Sequence, residues 1–187
     1  MISHEQERRK YQRMWTEVHG YRQNSPGQNL VPLFTAHSGA EPGDSVLDAG
    51  CGTGRAGDAL AKAGFKVTLL DICPEAVESD LPFIETNLWA LPTRLYQFDW
   101  IFCCDVLEHI PPEHIDKTLN NIAAMGTKGA FFQIALHTDG FGDMIGERLH
   151  LTVMPDVWWA KKLYERWHVN GIQFEPGPRM IAFLRTA

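Results

Sequence analysis

Cysteine is scarce in this chain, and nothing in its spacing suggests a framework. Cys51, Cys73, Cys103 and Cys104 include no C-x-x-C pair. That sets aside a zinc site and a disulfide scaffold, and leaves buried thiols in a reducing compartment, with the cytoplasm as the expected location. Basic charge is short as well. The chain has 17 Lys and Arg against 23 Asp and Glu, a net charge of -6, without the basic stripe that a nucleic-acid surface needs. The exception is local: Arg8, Arg9, Lys10 and Arg13 cluster near the start. No apolar run approaches the length of a membrane span, and the polar stretch Ser3 to Arg13 does not read as a signal peptide. Repeats and low-complexity tracts are missing too. What is present is 187 residues, 44% hydrophobic and 21% charged, the make-up of one soluble globular domain with a sizeable core.

One stretch organises the rest, Ser45-Val-Leu-Asp-Ala-Gly-Cys-Gly-Thr-Gly-Arg-Ala-Gly57. Val46 and Leu47 read as a short buried strand ending at Asp48. Three alternating glycines follow, Gly50, Gly52 and Gly54, and a helix is expected from Ala56 to Gly64. A strand, a glycine turn and a helix point backbone N–H groups at a ligand, because glycine has no Cβ to hold it away. Two ligands compete for this pattern. Gly52 to Gly57 fits the G-x-G-x-x-G dinucleotide fingerprint, with Asp71 near the expected distance. That reading buries Asp48, Ala49, Gly50 and Cys51 in the strand, a poor strand with an unpaired carboxylate. If the turn starts at Gly50 instead, Asp48 sits at the strand tip and accepts hydrogen bonds from the loop. An anionic tip suits a cationic sulfonium better than a pyrophosphate. Asp48 to Gly54 also resembles the first motif of class I S-adenosylmethionine-dependent methyltransferases.

The order of elements around this stretch predicts an α/β protein. Glu5 to Val18 is a helix with Tyr11, Met14, Trp15 and Val18 on one stripe. Gly20 ends it, a turn-rich stretch runs to Gly27, and a short helix follows from Gln28 to Thr35. Further strands are expected at Lys66 to Ile72, Leu81 to Leu88, Phe98 to Asp105 and Gly129 to Leu136, the last two apolar on both faces as central parallel strands are. A helix is expected to begin at Pro74, another at Pro112 to Met125, then a turn at Gly126 to Gly129. His137 to Thr152 is a long glycine-dotted loop, and Met154 to Leu163 starts a helix with Pro155 in its first turn. Trp158 and Trp159 face opposite ways, so at most one is core. Two last strands flank Pro176-Gly-Pro178 as an antiparallel hairpin.

After the fourth strand comes Asp105-Val-Leu-Glu-His-Ile-Pro111. With Asp48 to Gly54, Asp71 and Asn87, this stretch resembles the class I methyltransferase superfamily over residues 44 to 136. The resemblance implies a three-layer α/β/α, Rossmann-like, doubly wound mixed sheet of seven strands with an antiparallel last strand. It also implies S-adenosylmethionine as cofactor and S-adenosylhomocysteine as product. The expected parts are an N-terminal helical lid (1–40), a cofactor-binding core (44–136), a substrate loop (137–154) and a C-terminal helix and hairpin (155–187).

Candidate site residues follow from what the resemblance implies and from placement. Gly50, Cys51, Gly52 and Gly54 form the cofactor loop below Asp48. Asp71 accepts from the ribose hydroxyls, Ile72 covers the adenine, and Asn87 and Leu88 meet its edge. Asp105 and Val106 border the sulfonium. Tyr21 and Arg22 of the lid meet the cofactor's carboxylate, which arginine's fork suits. His109 and His137 are the candidate general bases. Trp15, Glu108, Asp139, Arg148, His150 and Trp158 are candidate substrate contacts. Asp105, Glu108 and His109 would share a face if their turn were helical, which makes a divalent ion conceivable. Pro111 and Pro112 delay the helix, so no metal is expected. A small molecule or a saccharide is the expected acceptor. A nucleic acid or protein acceptor, or a module that binds the cofactor without turnover, are the alternatives.

Overall fold

The computed structural model describes residues 2–23, 26–175 and 177–187. The middle of the turn-rich stretch (residues 24 and 25) and the first residue of the Pro176-Gly-Pro178 turn lie outside the described residues. Seven strands form one sheet: β1 Ser45–Ala49, β2 Lys66–Asp71, β3 Phe83–Glu85, β4 Phe98–Cys104, β5 Gly126–Ala135, β6 Trp167–Glu175 and β7 Arg179–Thr186. Their order is β3-β2-β1-β4-β5-β7-β6. Strands β1 to β5 pair in parallel, whereas β7 runs antiparallel to both β5 and β6. The expected seven-stranded mixed sheet is therefore the one observed.

Alternation along the central strands explains the three layers, because successive side chains leave a strand on opposite faces. Val46, Trp100, Phe102, Phe131 and Phe183 project to one face, where they pack with Val31 and Phe34 of α2 (Val31–His37) and with Ala56 and Leu60 of α3 (Arg55–Lys62). Leu47, Ile101, Phe132 and Leu184 project to the other. There they meet Ile115, Leu119 and Ile122 of α4 (Ile115–Met125) and Trp159 and Leu163 of α5 (Asp156–Tyr164). With both faces covered, the central strands carry the near-continuous apolar runs seen in the sequence.

The first helix, α1 (His4–Glu17), belongs to neither layer. Its start is a capping box: Ser3 Oγ accepts from the Gln6 N–H at 3.2 Å, and Gln6 Oε1 accepts from the Ser3 N–H at 2.8 Å. Its apolar stripe splits between two small clusters. Met14 and Val18 pack on Ile145 and Leu149 of the long loop, and Trp15 packs on Cys73 and Ala76 after β2. So α1 spans the carboxyl ends of the strands, where β1 has β2 on one side and β4 on the other. That reversal of strand order is where open α/β sheets leave a crevice.

Three expectations about elements are corrected. No helix begins at Pro74; Pro74–Ala76 is a single 3-10 turn. The third strand keeps only Phe83–Glu85. Gly126 to Gly129 is not a turn, because α4 passes directly into β5, and a bulge at the start of the β4 pairing absorbs the change of direction. Gly129 is needed there for space. A Cβ on it would stand 2.1 Å from the Leu184 carbonyl oxygen of β7 and 2.8 Å from the Trp100 ring. Backbone cannot yield as a side-chain tip can. Gly129→Ala is therefore expected to cost about 1–3 kcal/mol, the scale of an overpacked core, read as a lower urea midpoint. An unchanged midpoint would mean that β5 and β7 are not in this register.

Candidate functional site

The glycine loop after β1 is held by the neighbouring strand. Leu70 O accepts from the N–H groups of both Gly50 and Cys51, at 2.7 and 2.9 Å. Asp71 Oδ2 accepts from the Gly52 N–H at 2.8 Å, and its Oδ1 accepts from the Cys73 N–H at 2.9 Å. The same carboxylate thus fastens the loop and the turn that follows β2. Gly50 and Gly52 have φ of +79° and +52°, a region that side chains avoid. A Cβ on Gly50 would lie 2.4 Å from Val106, and one on Gly52 3.1 Å from the Trp15 ring. The loop is a cradle closed by those two residues.

Two cavities meet over this cradle and share Trp15, Tyr21, Gly50, Gly52, Asp105 and His109. The first, of about 640 Å³ including its open mouth, is walled by Asp71, Ile72, Asn87, Leu88 and Val106. The second, of about 1170 Å³ on the same measure, is walled by Asp48, Cys51, Glu108, His137, Asp139 and His150. One side is mostly apolar and ends on a carboxylate; the other is polar and carries the histidines.

Residues 46–129 match the family model described as a methyltransferase domain. That segment is similar to methyltransferase domains. Solved neighbours hold S-adenosylmethionine or S-adenosylhomocysteine. Among curated proteins, the ubiquinone biosynthesis O-methyltransferase of Xanthomonas campestris is 31% identical over 109 residues, covering 52% of this chain and 46% of that protein. The chain thus spans about half the length of the curated relatives it matches. Among solved structures, the Burkholderia thailandensis 1,6-didemethyltoxoflavin-N1-methyltransferase, with S-adenosylhomocysteine bound, aligns with a TM-score of 0.75. It is 19% identical and covers 100% of this chain and 92% of that one. The Synechocystis magnesium protoporphyrin IX methyltransferase, also with the product cofactor bound, aligns at 0.68 and 21% identity, covering 96% and 93%. At these identities the likeness is one of fold.

Most of the predicted site residues reach the cavity walls. Four do not. The Arg22 guanidinium donates to the carbonyls of Trp15 (3.0 Å), Glu75 (2.6 Å) and Ala76 (3.2 Å) and pairs with Glu78 at 2.9 Å. Its donors bind the N-terminal segment to the chain after β2, and they do not line either cavity. Gly54 is the left-handed N-cap of α3 and abuts Ser79 and Leu69, so it shapes the loop without lining the cleft. Arg148 opens on a separate groove with Lys10 and Glu147. Trp158 packs edge-on against the buried Trp159, 4.9 Å between centroids, beneath the Lys162 ammonium. A fifth residue, Asn87, lines the cleft with its amide occupied. Its Oδ1 accepts from the Ala90 N–H at 2.6 Å and its Nδ2 contacts His4, so the oxygen expected to read adenine caps a turn.

Other side chains were missed. Tyr11, read as part of an apolar stripe, places its hydroxyl 2.7 Å from Nδ1 of His109. Trp89 is buried but also walls the first cavity and stacks on His114. Arg179 enters the second cavity because the β5–β7 register sets it opposite Ala135. Gln133 on β5 donates to Asp105 Oδ2 at 2.6 Å. No local signal marks Arg179 or Gln133, since a hairpin and a strand pairing bring them in.

The turn after β4 is a single 3-10 turn, Leu107–His109, in place of the helical face considered from sequence. Asp105 before it takes φ +53°, which Asp tolerates better than most residues. The long loop returns onto this turn: the Glu108 carbonyl accepts from the N–H groups of Leu151 (2.8 Å) and Thr152 (2.9 Å), and Thr152 Oγ1 donates to Ile110 O at 2.6 Å. Those bonds bring His150 to His109, 4.6 Å between ring centroids. His150 Nδ1 in turn is 2.5 Å from the His137 carbonyl oxygen.

Carboxylates dominate the electrostatics. Burial raises the pKa of Asp48 to about 7, against one opposing N–H from Gly57. Burial also raises Asp71, Asp105 and Glu108, the last pushed further by the Asp105 charge. Among the described residues, Asp48 Oδ2, Asp105 Oδ1 and Glu108 Oε2 are buried without a hydrogen-bond partner. Burial lowers His109 well below the ordinary range, and His150 to a lesser degree, keeping both rings uncharged at neutral pH. A carboxyl raised in the folded state binds its proton more tightly than in the unfolded chain. Its stabilising contribution is full below the unfolded pKa near 4 and is lost as pH rises through about 7. Asp48→Asn removes that titration. The stability of the variant relative to the wild type is therefore expected to rise by roughly 2 to 3 kcal/mol between pH 5 and pH 8, measured by urea unfolding at both. A pH-independent difference would show that Asp48 is solvated.

Proposed function

We propose that this protein transfers the methyl group of S-adenosylmethionine to an oxygen or nitrogen of a small-molecule or saccharide-type acceptor. The observation that carries the reading is the pair of cavities meeting over the Gly50–Gly52 cradle, one suited to a nucleoside and the other to a polar acceptor. The donor set fits the cofactor. Asp71 spends one site of each oxygen on the loop and the turn, and a carboxylate offers about four acceptor sites, which leaves room for ribose hydroxyls. Ile72, Leu88 and Val106 supply apolar walls for the base. The unpartnered carboxylate oxygens nearby favour a cation.

Bound there, S-adenosylmethionine would supply a methyl group on a positively charged sulfur; the acceptor's lone pair forms the new bond as the carbon–sulfur pair returns to sulfur. The chain's contribution is alignment and exclusion of water. Trp15 and Tyr21, 4.6 Å apart by ring centroids, cover the cradle from the N-terminal segment, which acts as a lid in this reading. His109 is an uncharged imidazole fixed by Tyr11, and His137 stands on the second cavity. Either is placed to take the acceptor's proton, and an amine acceptor arriving neutral needs no dedicated base. Asp139 and His150 complete the acceptor side, under the loop of residues 137–154.

The Xanthomonas relative is named as an O-methyltransferase of ubiquinone biosynthesis, and the Burkholderia neighbour as a 1,6-didemethyltoxoflavin-N1-methyltransferase. Both names point to small acceptors. The basic cluster on α1 gives no support to a nucleic-acid acceptor, because each member has an acidic partner: Arg8 with Glu75 and Glu85, Arg9 with Glu5, Lys10 with Glu7 and Arg13 with Glu17.

S-adenosylhomocysteine is expected to bind by calorimetry and to raise the melting temperature, whereas NAD does neither. Stabilisation by NAD alone would overturn the reading. Asp71→Ala should weaken S-adenosylhomocysteine by about 1–3 kcal/mol, the scale of lost hydrogen bonds to a charged group. Transfer of a labelled methyl group from S-adenosylmethionine to a small-molecule extract fraction tests turnover. Binding without transfer to any fraction would favour a regulatory module.

A further inference from the structure

Glu108, His109 and His150 converge on one point of the acceptor-side cavity, and methyl transfer as described does not use all three together. One ligand atom from each lies within 4.8 Å of the other two. Glu108 is fully buried; its Oε1 accepts from the Ala135 N–H at 3.2 Å, and its Oε2 has no hydrogen-bond partner among the described residues. A proton relay would seat that oxygen on an imidazole N–H, because a buried carboxylate oxygen is costly to leave unpaired. The geometry does not do so. Both rings have other partners instead: Nδ1 of His109 meets the Tyr11 hydroxyl at 2.7 Å and its ring also bonds the Leu149 backbone, and Nδ1 of His150 meets the His137 carbonyl at 2.5 Å. A histidine that ligates a metal is held in place by such hydrogen bonds from its surroundings. Two chain segments supply the cluster, and the hydrogen bonds of Leu151 and Thr152 to the Glu108 carbonyl tie them together.

We infer that Glu108, His109 and His150 form a binding site for one divalent transition-metal ion. Two imidazoles and one carboxylate suit Zn²⁺, Mn²⁺, Fe²⁺ or Co²⁺ better than Mg²⁺ or Ca²⁺, which prefer oxygen. Three protein ligands leave positions open for a further molecule, the pattern of a catalytic site and not of a closed structural one. Neighbouring ligands in a filled tetrahedral shell are about 3.4 Å apart, so loading draws the three side chains closer, with Asp105 beside them on the same wall.

The consequence for the acceptor rests on the proposed methyl transfer. An ion here binds a hydroxyl oxygen and lowers its pKa. The hydroxyl proton leaves to His137 or water, and one oxygen lone pair stays on the metal while another forms the bond to the methyl carbon. An amine has a single lone pair, which the metal would block. The site therefore selects an alcohol or phenol, and the product is a methyl ether.

The test uses the whole chain, stripped with a chelator and dialysed, then titrated with Co²⁺ alone by calorimetry and visible absorption. One Co²⁺ per chain is expected, with a dissociation constant in the micromolar range or below and paramagnetically shifted imidazole proton resonances. Glu108→Gln and His150→Ala should each weaken binding at least tenfold, and His168→Gln, at an exposed position of β6, should not. Circular dichroism reports whether each variant folds, and the wild-type stoichiometry and resonances decide the matter if one does not. No saturable binding by the wild type, or equal binding by all three folded variants, overturns the site. S-adenosylhomocysteine is titrated separately into metal-free chain. Cofactor binding without Co²⁺ binding sinks only the metal site, and the reverse sinks only the methyl-transfer reading.

Discussion

The constraint on which the rest depends is the desolvation of carboxylates at the carboxyl end of the sheet. Asp48, Asp71, Asp105 and Glu108 stand at or just past the ends of three adjacent strands, β1, β2 and β4, and burial raises the pKa of each. Removing such a group from water costs several kcal/mol unless something compensates. Asp71 is compensated at both oxygens by the N–H groups it fastens. Asp48 and Glu108 are each compensated at one, and Asp105 through Gln133 and a distant Arg179. The remaining unpaired oxygens give the cleft its character, a place where a positive charge is more welcome than anywhere in its surroundings. A sulfonium donor and a bound metal ion are two ways of meeting the same demand.

Water would relieve that demand just as well, so its exclusion matters as much as the acids. The N-terminal segment covers the cradle. Trp15 and Tyr21 lie tilted against each other over the glycine cradle, Tyr21 meets Phe141 of the long loop at 5.6 Å, and Met14 packs on Ile145 and Leu149. Arg22 ties this cover to the turn after β2 through three carbonyls and Glu78. An arginine expected to grip a ligand thus ties down the N-terminal segment instead, and the side of that segment facing the cradle is aromatic.

Legibility followed the range of the interactions. The cradle was readable because its parts are contiguous: a strand tip, alternating glycines and a helix start within thirteen residues of sequence. Asp71 was readable because the parallel neighbour of β1 must end beside it, and the double apolar character of Phe98–Cys104 and Gly129–Ala135 announced central strands. The helix expected at Pro74 failed because Asp71 and Cys73 satisfy each other locally and the chain needs only one turn to pass under Trp15. Among the histidines the sequence offered a cluster without a geometry. Leu151 and Thr152 choose which of them reaches Glu108, and those are backbone bonds that no side-chain pattern encodes.

By itself the sequence determined the layer architecture, the strand that carries the cradle and the acids that end it. Hydrophobic periodicity, glycine spacing and strand-end polarity are properties of neighbouring residues. Only the tertiary structure decided that Tyr11 stands behind His109, that Arg179 enters beside Asp105, that Asn87 spends its amide on Ala90, and that Trp158 turns to Trp159. These are partnerships across tens of residues. Which buried polar group takes which partner depends on how the loops close, and closure is fixed by the packing of the whole fold.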